Sequence, residues 1–462
     1  MASFPVKTAF AVILAILLIS GAHYVLPAAK IPTPELLASL IDFSPEQTPG
    51  NPLIRRASNP EDMRLPARVP GQAFLIDPAN ALDPFYESLL RTEHREVPSV
   101  TRIEHYGDSP TTADLITGDV RTLLQRRFGN DGPGFTLIAQ PWAWYQHHGV
   151  EISGDGWQID PASNFVSKDG RFGLGGVSFV GDPSAHSTTN YKGDSGPTEF
   201  EIWYLAQPGG GQIEVLADGE SIGKVNTAAD QQAESFALLR APAPVSKLEI
   251  RVDGGRVRLF GISAERGVPG VVYDSLGLNG ASIAVLSRMF NAAHFTVELE
   301  HRDASLIIVN YGTNEADFAS FVNGPYEKEL RAAIKRIRDA VPEASLMLMS
   351  PMDRGERDGL DEIHTMPTIP KIVEIQKRVA ADTGCAFFNT YEAMGGQDTM
   401  AHWYQEQPRL VSADLIHPTP AGGHIVANAF VKELMLGYNR FKLRHLTETK
   451  HNDRAEQGTL KE

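Results

Sequence analysis

The chain has 462 residues and carries 42 Lys or Arg against 57 Asp or Glu, which gives a formal net charge of −15 at pH 7. This acidic balance argues against nucleic acid as a partner, because proteins that bind nucleic acids present basic patches to the phosphates. The length leaves room for two domains with large cores, and the single cysteine, Cys385, excludes a disulfide within the chain.

The amino-terminal segment indicates export. Residues 8–20 are mostly apolar, and Ser20 and Ala22 have the small side chains that are typical of a signal-peptide cleavage site. The apolar span is also about as long as a bilayer crossing requires. Residues 1–29 are therefore predicted to be a signal peptide or an uncleaved signal anchor. Either would place the rest of the chain in the periplasm or outside the cell, and an anchor would tether it to the inner membrane.

A strand-to-helix turn around Ser109 is the first feature with a chemical signature. A Pro-rich linker, residues 30–80, and a helix over residues 81–95 are predicted before it. The alternating run 100–105 predicts a strand, and residues 112–128 predict a helix. A serine between them has an exposed hydroxyl and a backbone N–H at a helix start, as a nucleophile and an oxyanion donor need. A turn with a capping serine explains the same string equally well.

Residues 151–266 interrupt the α/β pattern. They are rich in Gly, Asp and Ser and in short alternating runs, which predicts an inserted β-sandwich. Because domains inserted in surface loops tend to fold as separate units, we expect this one to do so. His147 and His148 precede the insertion, but no ligand-spaced Cys, His or carboxylate set joins them in the sequence, so no metal and no cofactor are assigned. Aromatic residues that could stack on sugar rings, or belong to the core, are Trp142, Trp144, Tyr145, Trp157, Trp203 and Tyr204.

Two loops that follow predicted strands downstream of the insertion offer hydrogen-bond donors. Residues 271–273 predict a short strand, and Gly280 behind it allows close backbone approach and offers its N–H. Residues 305–310 are an apolar, β-rich run that is typical of a buried parallel strand. Asn314 follows its carboxyl end, where the side-chain amide could donate to an oxyanion. Ordinary turn chemistry is the alternative for both Gly280 and Asn314.

The remaining elements predict a doubly wound parallel sheet. Helical spacing over residues 326–341 and 369–383 alternates with the apolar strands 346–349 and 385–389. Strand–helix–strand order implies parallel strands with right-handed crossovers. Ligands bind beyond the carboxyl ends of the strands in such sheets, and every candidate residue falls at that edge or on a loop beside it.

A carboxylate and an imidazole come together near the carboxyl terminus, where Asp414 and His417 lie in a loop before a predicted helix over residues 421–438. An aspartate at this spacing can accept a hydrogen bond from Nδ1–H of the histidine, which leaves Nε2 to take a proton from serine. A helix-capping aspartate and a surface histidine are the alternative. The polar residues 446–462 predict a disordered tail.

These motifs occur in the order of the four sequence blocks of the SGNH, or GDSL, hydrolase superfamily. The chain resembles this superfamily over residues 98–440. The resemblance implies a three-layer α/β fold with a parallel sheet, built from residues 81–150 and 267–445. The matching blocks are Gly107-Asp108-Ser109, Gly280, Gly312-Thr313-Asn314, and Asp414 with His417.

The superfamily resemblance also implies a role for each block. It makes Ser109 the nucleophile, His417 the base and Asp414 the carboxylate that orients the base. The implied oxyanion hole consists of the N–H groups of Ser109 and Gly280 and the side chain of Asn314. Gly277 is the rival of Gly280 for the glycine position.

The insertion narrows the resemblance to one subtype. A β-sandwich inside an α/β hydrolase resembles the carbohydrate-binding-module-like insert of bacterial peptidoglycan O-acetylesterases. Pro110, directly after the nucleophile, is a departure that a helix start tolerates.

The subtype implies an exported serine esterase that removes O-acetyl groups from a cell-envelope or extracellular glycan. Peptidoglycan is the favoured substrate, and the reaction would pass through an acetyl-Ser109 intermediate. An O-acetylated glycan is therefore the expected partner, and the sequence leaves the oligomeric state open. A polysaccharide O-acetyltransferase with the same triad, and a non-enzymatic glycan-binding protein on a hydrolase scaffold, are the alternatives.

Overall fold

The structure is a computed structural model. No helix in the part of the chain that it describes is both long and apolar enough to span a membrane. The predicted signal segment, residues 1–29, lies outside that part, as does the predicted linker up to residue 72. The described residues are 73–96, 99–164, 169–193, 196–359 and 362–459.

Seventeen strands and ten helices are assigned within the described ranges. The strands, in chain order, are β1 Leu75–Ile76, β2 Val100–Gly107, β3 Gly134–Thr136, β4 Val150–Pro161, β5 Val177–Tyr191, β6 Glu199–Ala206, β7 Gln212–Ala217, β8 Glu220–Asn226, β9 Ala233–Arg240, β10 Lys247–Gly254, β11 Val257–Glu265, β12 Gly270–Gly277, β13 Leu306–Asn310, β14 Ser345–Met349, β15 Gly355–Asp358, β16 Glu362–Thr365 and β17 Ala386–Phe388. The helices are α1 Asp83–Glu93, α2 Ser109–Thr112, α3 Thr117–Phe128, α4 Ala292–Arg302, α5 Ala319–Val322, α6 Tyr326–Ala340, α7 Thr368–Thr383, α8 Thr390–Met394, α9 Thr399–Gln405 and α10 Pro420–Thr459. Short turns of 3₁₀ or π helix occur at Ala162–Asn164, Val285–Met289 and Glu315–Asp317.

A six-stranded sheet forms the centre of the α/β part, with the strand order β1-β17-β14-β13-β2-β12. Its strands pair in parallel, except that β1 pairs antiparallel with β17 at one edge. The register sets Gly107, at the end of β2, opposite both Gly277 of β12 and Asn310 of β13. The loops after these three strands therefore emerge side by side at the carboxyl edge, where ligands bind in such sheets. The predicted parallel α/β sheet is confirmed.

Alternate side chains of β13 point to opposite faces of this sheet. Leu306 and Ile308 belong to one buried cluster, which also takes in α1, α3 and α10. Ile307 and Val309 belong to a second cluster, which takes in α4, α6 and α7. Because both faces are covered by helices, the strand needs apolar side chains at every position, which explains its unbroken apolar sequence. The sheet is the middle of three layers.

The insertion, predicted as a β-sandwich, is a β domain in which β3 to β11 form one nine-stranded antiparallel sheet. Its main path runs β8-β7-β10-β5-β11-β6-β9, with β3 paired to β11 and β4 to β5. Leu248, Ile250 and Val252 of β10 are buried, as their alternation predicts. The sheet begins at β3, before the predicted start at residue 151, because Phe135 and its neighbours pair with the last strand, β11.

The β domain and the α/β part share one hydrophobic core. Helix α4 lies at the junction, where His301 stacks on Phe236 of β9 with ring centroids 3.4 Å apart and meets Trp203 of β6 edge-on at 5.1 Å. At the end of the same helix, Arg302 forms an ion pair with Glu265 of β11 at 2.6 Å. The structure thus differs from the expected separate unit, because the insertion covers apolar surface that α4 would otherwise expose to water.

Two further predictions near the amino-terminal side differ from the structure. The linker is predicted to extend to residue 80, but β1 lies within that range and pairs with strand β17, with Leu75 opposite Phe388. The predicted helix 112–128 is divided into α2 and α3. Asp114, between them, has a positive φ of 54°, which a helix cannot contain.

The prediction of a disordered tail over residues 446–462 also differs from the structure. Helix α10 continues through it as far as Thr459. The sequence explains this, because no glycine or proline interrupts the chain between Gly437 and Gly458 and most residues there are good helix formers. The hairpin of β15 and β16 and the short helices α8 and α9 had no counterpart in the sequence prediction.

Candidate active site

Ser109 occupies the turn between β2 and α2. The turn requires glycine at position 107, since a Cβ atom there would lie 2.2 Å from Oγ1 of Thr111. Ser109 opens α2, and Pro110 follows it at a position where a missing N–H costs no helical hydrogen bond. The serine is 8% exposed, so its hydroxyl lies at the protein surface but is shielded on most sides.

Ser109, His417 and Asp414 form a continuous chain of hydrogen bonds. Oγ of Ser109 lies 2.6 Å from Nε2 of His417, although the two residues are 308 positions apart in the sequence. Nδ1 of His417 lies 2.7 Å from Oδ2 of Asp414. The carboxylate can only accept, so Nδ1 carries a proton and Nε2 is left to accept from the serine hydroxyl. The structure therefore brings together the three residues that the sequence singled out as nucleophile, base and orienting carboxylate.

The loop that carries Asp414 and His417 is held by its own hydrogen bonds. Oδ1 of Asp414 accepts the N–H groups of Ile416 at 3.0 Å and of His417 at 3.1 Å. Leu415 adopts a positive φ of 61°, which is uncommon for a residue with a branched side chain. Partial burial raises the pKa of the Asp414 carboxyl, but the hydrogen bonds from His417 and from the two backbone N–H groups outweigh it, so the pKa lies below its usual value. The Asp414 carboxyl is therefore ionised at neutral pH, where it accepts the hydrogen bond from Nδ1–H of His417.

The two loops with the predicted oxyanion donors are tied to each other. Nδ2 of Asn314 donates to the carbonyl oxygen of Ala281 at 2.8 Å. Ala281 follows Gly280, so this bond fixes the side chain of Asn314 beside the Gly280 backbone. Since Gly107, Gly277 and β13 are in register, both loops emerge next to the turn that carries Ser109.

Gly277 and Gly280 occupy different environments. A Cβ atom on Gly277 would lie 2.0 Å from the backbone nitrogen of Thr112, so this glycine lets α2 pack against the end of β12. Gly280 is exposed, has a positive φ of 67°, and has open space where a side chain would be. A backbone N–H in such an exposed turn is free to meet a ligand, which favours Gly280 for the proposed oxyanion role.

Two buried carboxylates beside the site were missed by the sequence analysis. Burial raises the pKa of Asp108 to about 6, against opposing effects of Thr313 and His417. Burial likewise raises the pKa of Glu315 to about 7, and its Oε1 accepts the N–H of Ile283 at 2.8 Å. The bond from Ile283 holds the segment just after Gly280 against the Asn314 block. Asp108 precedes Ser109 and Glu315 follows Asn314 in the motifs, and this proximity was the signal that could have identified the two carboxylates.

A hairpin formed by β15 and β16 starts at the rim of the site. Arg354, just before β15, donates to the carbonyl oxygen of Thr313 at 2.6 Å. The N–H of Gly355 donates to the carbonyl oxygen of Leu415 at 2.9 Å. The base of the hairpin therefore connects the Asn314 block to the loop that carries Asp414 and His417. The sequence offered only a polar run at residues 353–361 as a signal for it.

The six aromatic residues that could have stacked on sugar differ widely in exposure. Trp203 is fully buried in the core of the β domain, and Tyr145 is 5% exposed. Trp142, Trp157 and Tyr204 are partly buried and pack against the same core. Trp144 is 49% exposed, and its Nε1 donates to Oδ1 of Asn279, the residue before Gly280. Exposure and position together separate Trp144 from the other five.

Residues 252–425 match the model of the GDSL-like lipase/acylhydrolase family. This part of the chain is similar to GDSL-like lipases and acylhydrolases. The matched residues include the Gly280, Asn314 and Asp414–His417 blocks but not Ser109, which lies before the insertion. No match was found among curated proteins.

The solved structure of a peptidoglycan O-acetylesterase is similar to this chain over nearly the whole length of the esterase. The TM-score is 0.69 at 22% sequence identity, and the match covers 79% of this chain and 99% of that chain. A family two carbohydrate esterase from Clostridium thermocellum, in complex with cellohexaose, has a TM-score of 0.28 at 11% identity and covers 61% of this chain and 100% of its own. A putative GDSL-like lipase from Parabacteroides merdae has a TM-score of 0.28 at 17% identity, with coverage of 36% and 72%. The first likeness establishes the fold, with the β domain and the α/β part together.

Proposed function

We propose that this hydrolase is an exported serine esterase that removes O-acetyl groups from a cell-envelope or extracellular glycan, with peptidoglycan as the first candidate. The observation that carries the proposal is the hydrogen-bond chain from Ser109 through His417 to Asp414, with distances of 2.6 and 2.7 Å. A serine bonded to an imidazole that is itself oriented by a carboxylate is an activated nucleophile for acyl transfer.

The first step transfers the acetyl group to the enzyme. Oγ of Ser109 attacks the carbonyl carbon while its proton passes to Nε2 of His417. The carbonyl oxygen becomes an oxyanion, for which the N–H groups of Ser109 and Gly280 and the amide of Asn314 are the proposed donors. The imidazolium, which the Asp414 carboxylate stabilises, then protonates the departing sugar oxygen. The deacetylated glycan leaves, and acetyl-Ser109 remains.

The second step uses water in place of the sugar hydroxyl. His417 takes a proton from water through Nε2, and the hydroxide attacks the acetyl carbonyl carbon. The same donors stabilise the second oxyanion. When it collapses, the bond to Oγ breaks, Ser109 regains its proton from the imidazolium, and acetate is released.

Two observations support a glycan in the cell envelope as the substrate. The similar solved structure is that of a peptidoglycan O-acetylesterase, and the similarity includes the β domain as well as the α/β part. The amino-terminal sequence has the composition of a signal peptide or signal anchor, which would bring the enzyme to such a substrate and could tether it to the membrane.

The test is hydrolysis of 4-nitrophenyl acetate, with the Ser109→Ala protein as the blank, followed by acetate release from O-acetylated peptidoglycan and from other acetylated polysaccharides. We expect turnover that depends on Ser109 and a preference for peptidoglycan. Equal turnover by the Ser109→Ala protein would overturn the serine-esterase proposal. Acetylated sugar in place of free acetate as the product would identify an O-acetyltransferase.

A further inference from the structure

Trp144 is an exposed aromatic residue that belongs to the surroundings of the proposed active site. Its indole N–H donates to Oδ1 of Asn279 at 3.0 Å, and Asn279 directly precedes Gly280. About half of the side chain, 49%, is exposed to solvent. Exposure alone would not single out this tryptophan, but its large apolar ring lies exposed beside the turn that contains Gly280, where a ligand at the proposed active site could pack on it.

The loop that carries Trp144 is also attached to the nucleophile helix. The N–H of Gln146 donates to the carbonyl oxygen of Thr112, the last residue of α2, at 3.1 Å. The hydroxyl of Tyr145 accepts the N–H of Leu137 at 3.0 Å, and its ring is buried. Trp144 is thus fixed between the helix that begins at Ser109 and the turn that contains Gly280. The ring is therefore held in place before a substrate arrives, and little conformational entropy is lost when a ligand packs on it.

We infer that Trp144 is a stacking platform for a sugar ring of the glycan substrate. This inference rests on the proposed function and names the residue that recognises the carbohydrate. The face of a pyranose ring carries C–H groups, which are apolar and pack on the negative face of an aromatic ring. A sugar seated on Trp144 would lie beside Gly280, so its acetylated hydroxyl or that of a neighbouring sugar could reach Ser109.

A polar cleft continues from the same loop toward the β domain. It is lined by residues of the loop, among them Gln140, Gln146 and His148, and by Glu151 and Lys192 of the β domain side. Side chains of this kind can form hydrogen bonds with sugar hydroxyls. A polymeric substrate that passes Trp144 could therefore extend along the cleft, whereas a small ester is too short to reach the cleft. Loss of Trp144 should consequently lower activity on the polymer much more than activity on a small acetyl ester.

The test compares Trp144→Ala, Trp144→Phe and the native enzyme on two substrates, O-acetylated peptidoglycan and 4-nitrophenyl acetate. We expect Trp144→Ala to lower kcat/KM on the polymer by about tenfold or more, mainly through KM, and to change turnover of the small ester by less than about twofold. Trp144→Phe keeps an aromatic face and should retain most of the activity on the polymer. Leu238→Ala, at an exposed apolar residue of the β domain, is the control and should change neither.

Three outcomes would overturn the inference. Equal losses on both substrates would make Trp144 a positioning residue for the Asn279–Gly280 turn. An unchanged kcat/KM of Trp144→Ala on the polymer would remove any role in recognition. A Trp144→Phe variant as impaired as Trp144→Ala would show that the indole N–H matters and the ring face does not.

A binding measurement distinguishes a failure of this inference from a failure of the proposed function. In the Ser109→Ala protein, with and without Trp144→Ala, the affinity for soluble O-acetylated peptidoglycan fragments can be measured by calorimetry without any turnover. We expect about tenfold weaker binding when Trp144 is absent. If the native enzyme failed to hydrolyse 4-nitrophenyl acetate, the esterase proposal would fall, while this measurement would still decide whether Trp144 binds glycan.

Discussion

The side-chain amide of Asn314 donates a hydrogen bond to the carbonyl oxygen of Ala281 at 2.8 Å, which joins the loops after β13 and β12. The Asn314 amide has a second N–H, and the bond to Ala281 fixes the direction in which this second N–H points. Because Ala281 is bonded to Gly280 in the chain, the two proposed oxyanion donors are held as a unit before the substrate binds. Such preorganised donors stabilise developing charge without reorganisation during the reaction.

We expect Asn314→Ala to lower kcat for 4-nitrophenyl acetate by about 10²- to 10³-fold with little change in KM, because an oxyanion donor acts in the transition state more than in the ground state. Steady-state kinetics on the purified variant measure this. Asn323→Ala, which removes an exposed amide from the same region of the chain, is the control. A change confined to KM would move Asn314 from the oxyanion hole to substrate binding.

Ser109→Ala and His417→Ala should each abolish ester hydrolysis and leave the fold intact. The side chains bond to each other at 2.6 Å and sit at the edge of the sheet, so their loss creates no large cavity in the core. Because the two groups act as one unit, the double variant should be no less active than either single variant. Turnover and thermal melting of the three variants check this. Additive losses in the double variant would show that the two side chains act independently.

Asp414→Asn should leave measurable activity while lowering kcat by up to about 10⁴-fold, the loss known for triads whose aspartate is replaced. An asparagine can still accept the backbone N–H groups of Ile416 and His417 through one oxygen, so the loop should keep its shape. It cannot stabilise the imidazolium as a carboxylate does. The rate of the variant against the Ser109→Ala blank is the measurement, and activity close to native would remove Asp414 from the mechanism.

The sequence contained enough local information to single out Ser109, Asp414 and His417, which the structure brings together. Ser109 follows a strand that ends in Gly107, and Asp414 and His417 lie three residues apart, so short strings carry the geometry of the turns. The pairing of Arg302 with Glu265 and the stacking of His301 on Phe236 could not be predicted, because they join segments far apart in the chain. The interpretation of the insertion as a separate unit failed for that reason.

Exposure was equally invisible in the sequence. Trp144 and Trp203 have the same side chain and both neighbour other aromatic residues along the chain. One is 49% exposed and the other is fully buried, and only tertiary packing distinguishes them. Burial also raises the pKa of Asp108, which the motif presents as an ordinary acidic residue beside Ser109.

Replacing residues 151–266 with a short linker should prevent folding and not merely alter substrate preference. The insertion covers α4, where Trp203 and Phe236 contact His301, and supplies Glu265 to Arg302. Its removal would expose a large apolar surface and leave a buried guanidinium with fewer partners. Soluble yield and circular dichroism of the shortened chain measure the outcome. A stable, monomeric product that still hydrolyses 4-nitrophenyl acetate would contradict the shared core.

A point variant tests the same interface without the deletion. Trp203→Ala should lower the free energy of unfolding by about 3–5 kcal/mol, the range for truncating a large buried aromatic side chain. Leu238→Ala, on the exposed side of the neighbouring strand, should cost much less. Denaturant titration of both variants checks the difference, and equal losses would mean that Trp203 contributes no more than a surface residue.

Asp108→Asn should change the pH dependence of stability. Asp108 is 2% exposed, and burial raises its pKa from 3.8 to about 6, with His417 and Thr313 acting in the opposite direction. Between these two pH values the folded protein binds a proton at Asp108 that the unfolded chain does not. The contribution of Asp108 to stability is therefore greatest below pH 3.8 and is lost as the pH rises through about 6.

Asparagine is neutral at every pH, so the variant lacks this loss. Relative to the native enzyme, its free energy of unfolding should rise by about 1–3 kcal/mol between pH 4 and pH 7.5. Any constant cost of burying the amide cancels, because the comparison is between two pH values for the same pair of proteins. Denaturant titrations of both proteins at both pH values give the number, with Asp303→Asn at an exposed position as the control. The free energies of unfolding of the native and Asp108→Asn proteins could instead differ by the same amount at pH 4 and pH 7.5. The Asp108 carboxyl would then not titrate in this range. Interactions other than those with Thr313 and His417 would have to compensate for its burial beside Ser109.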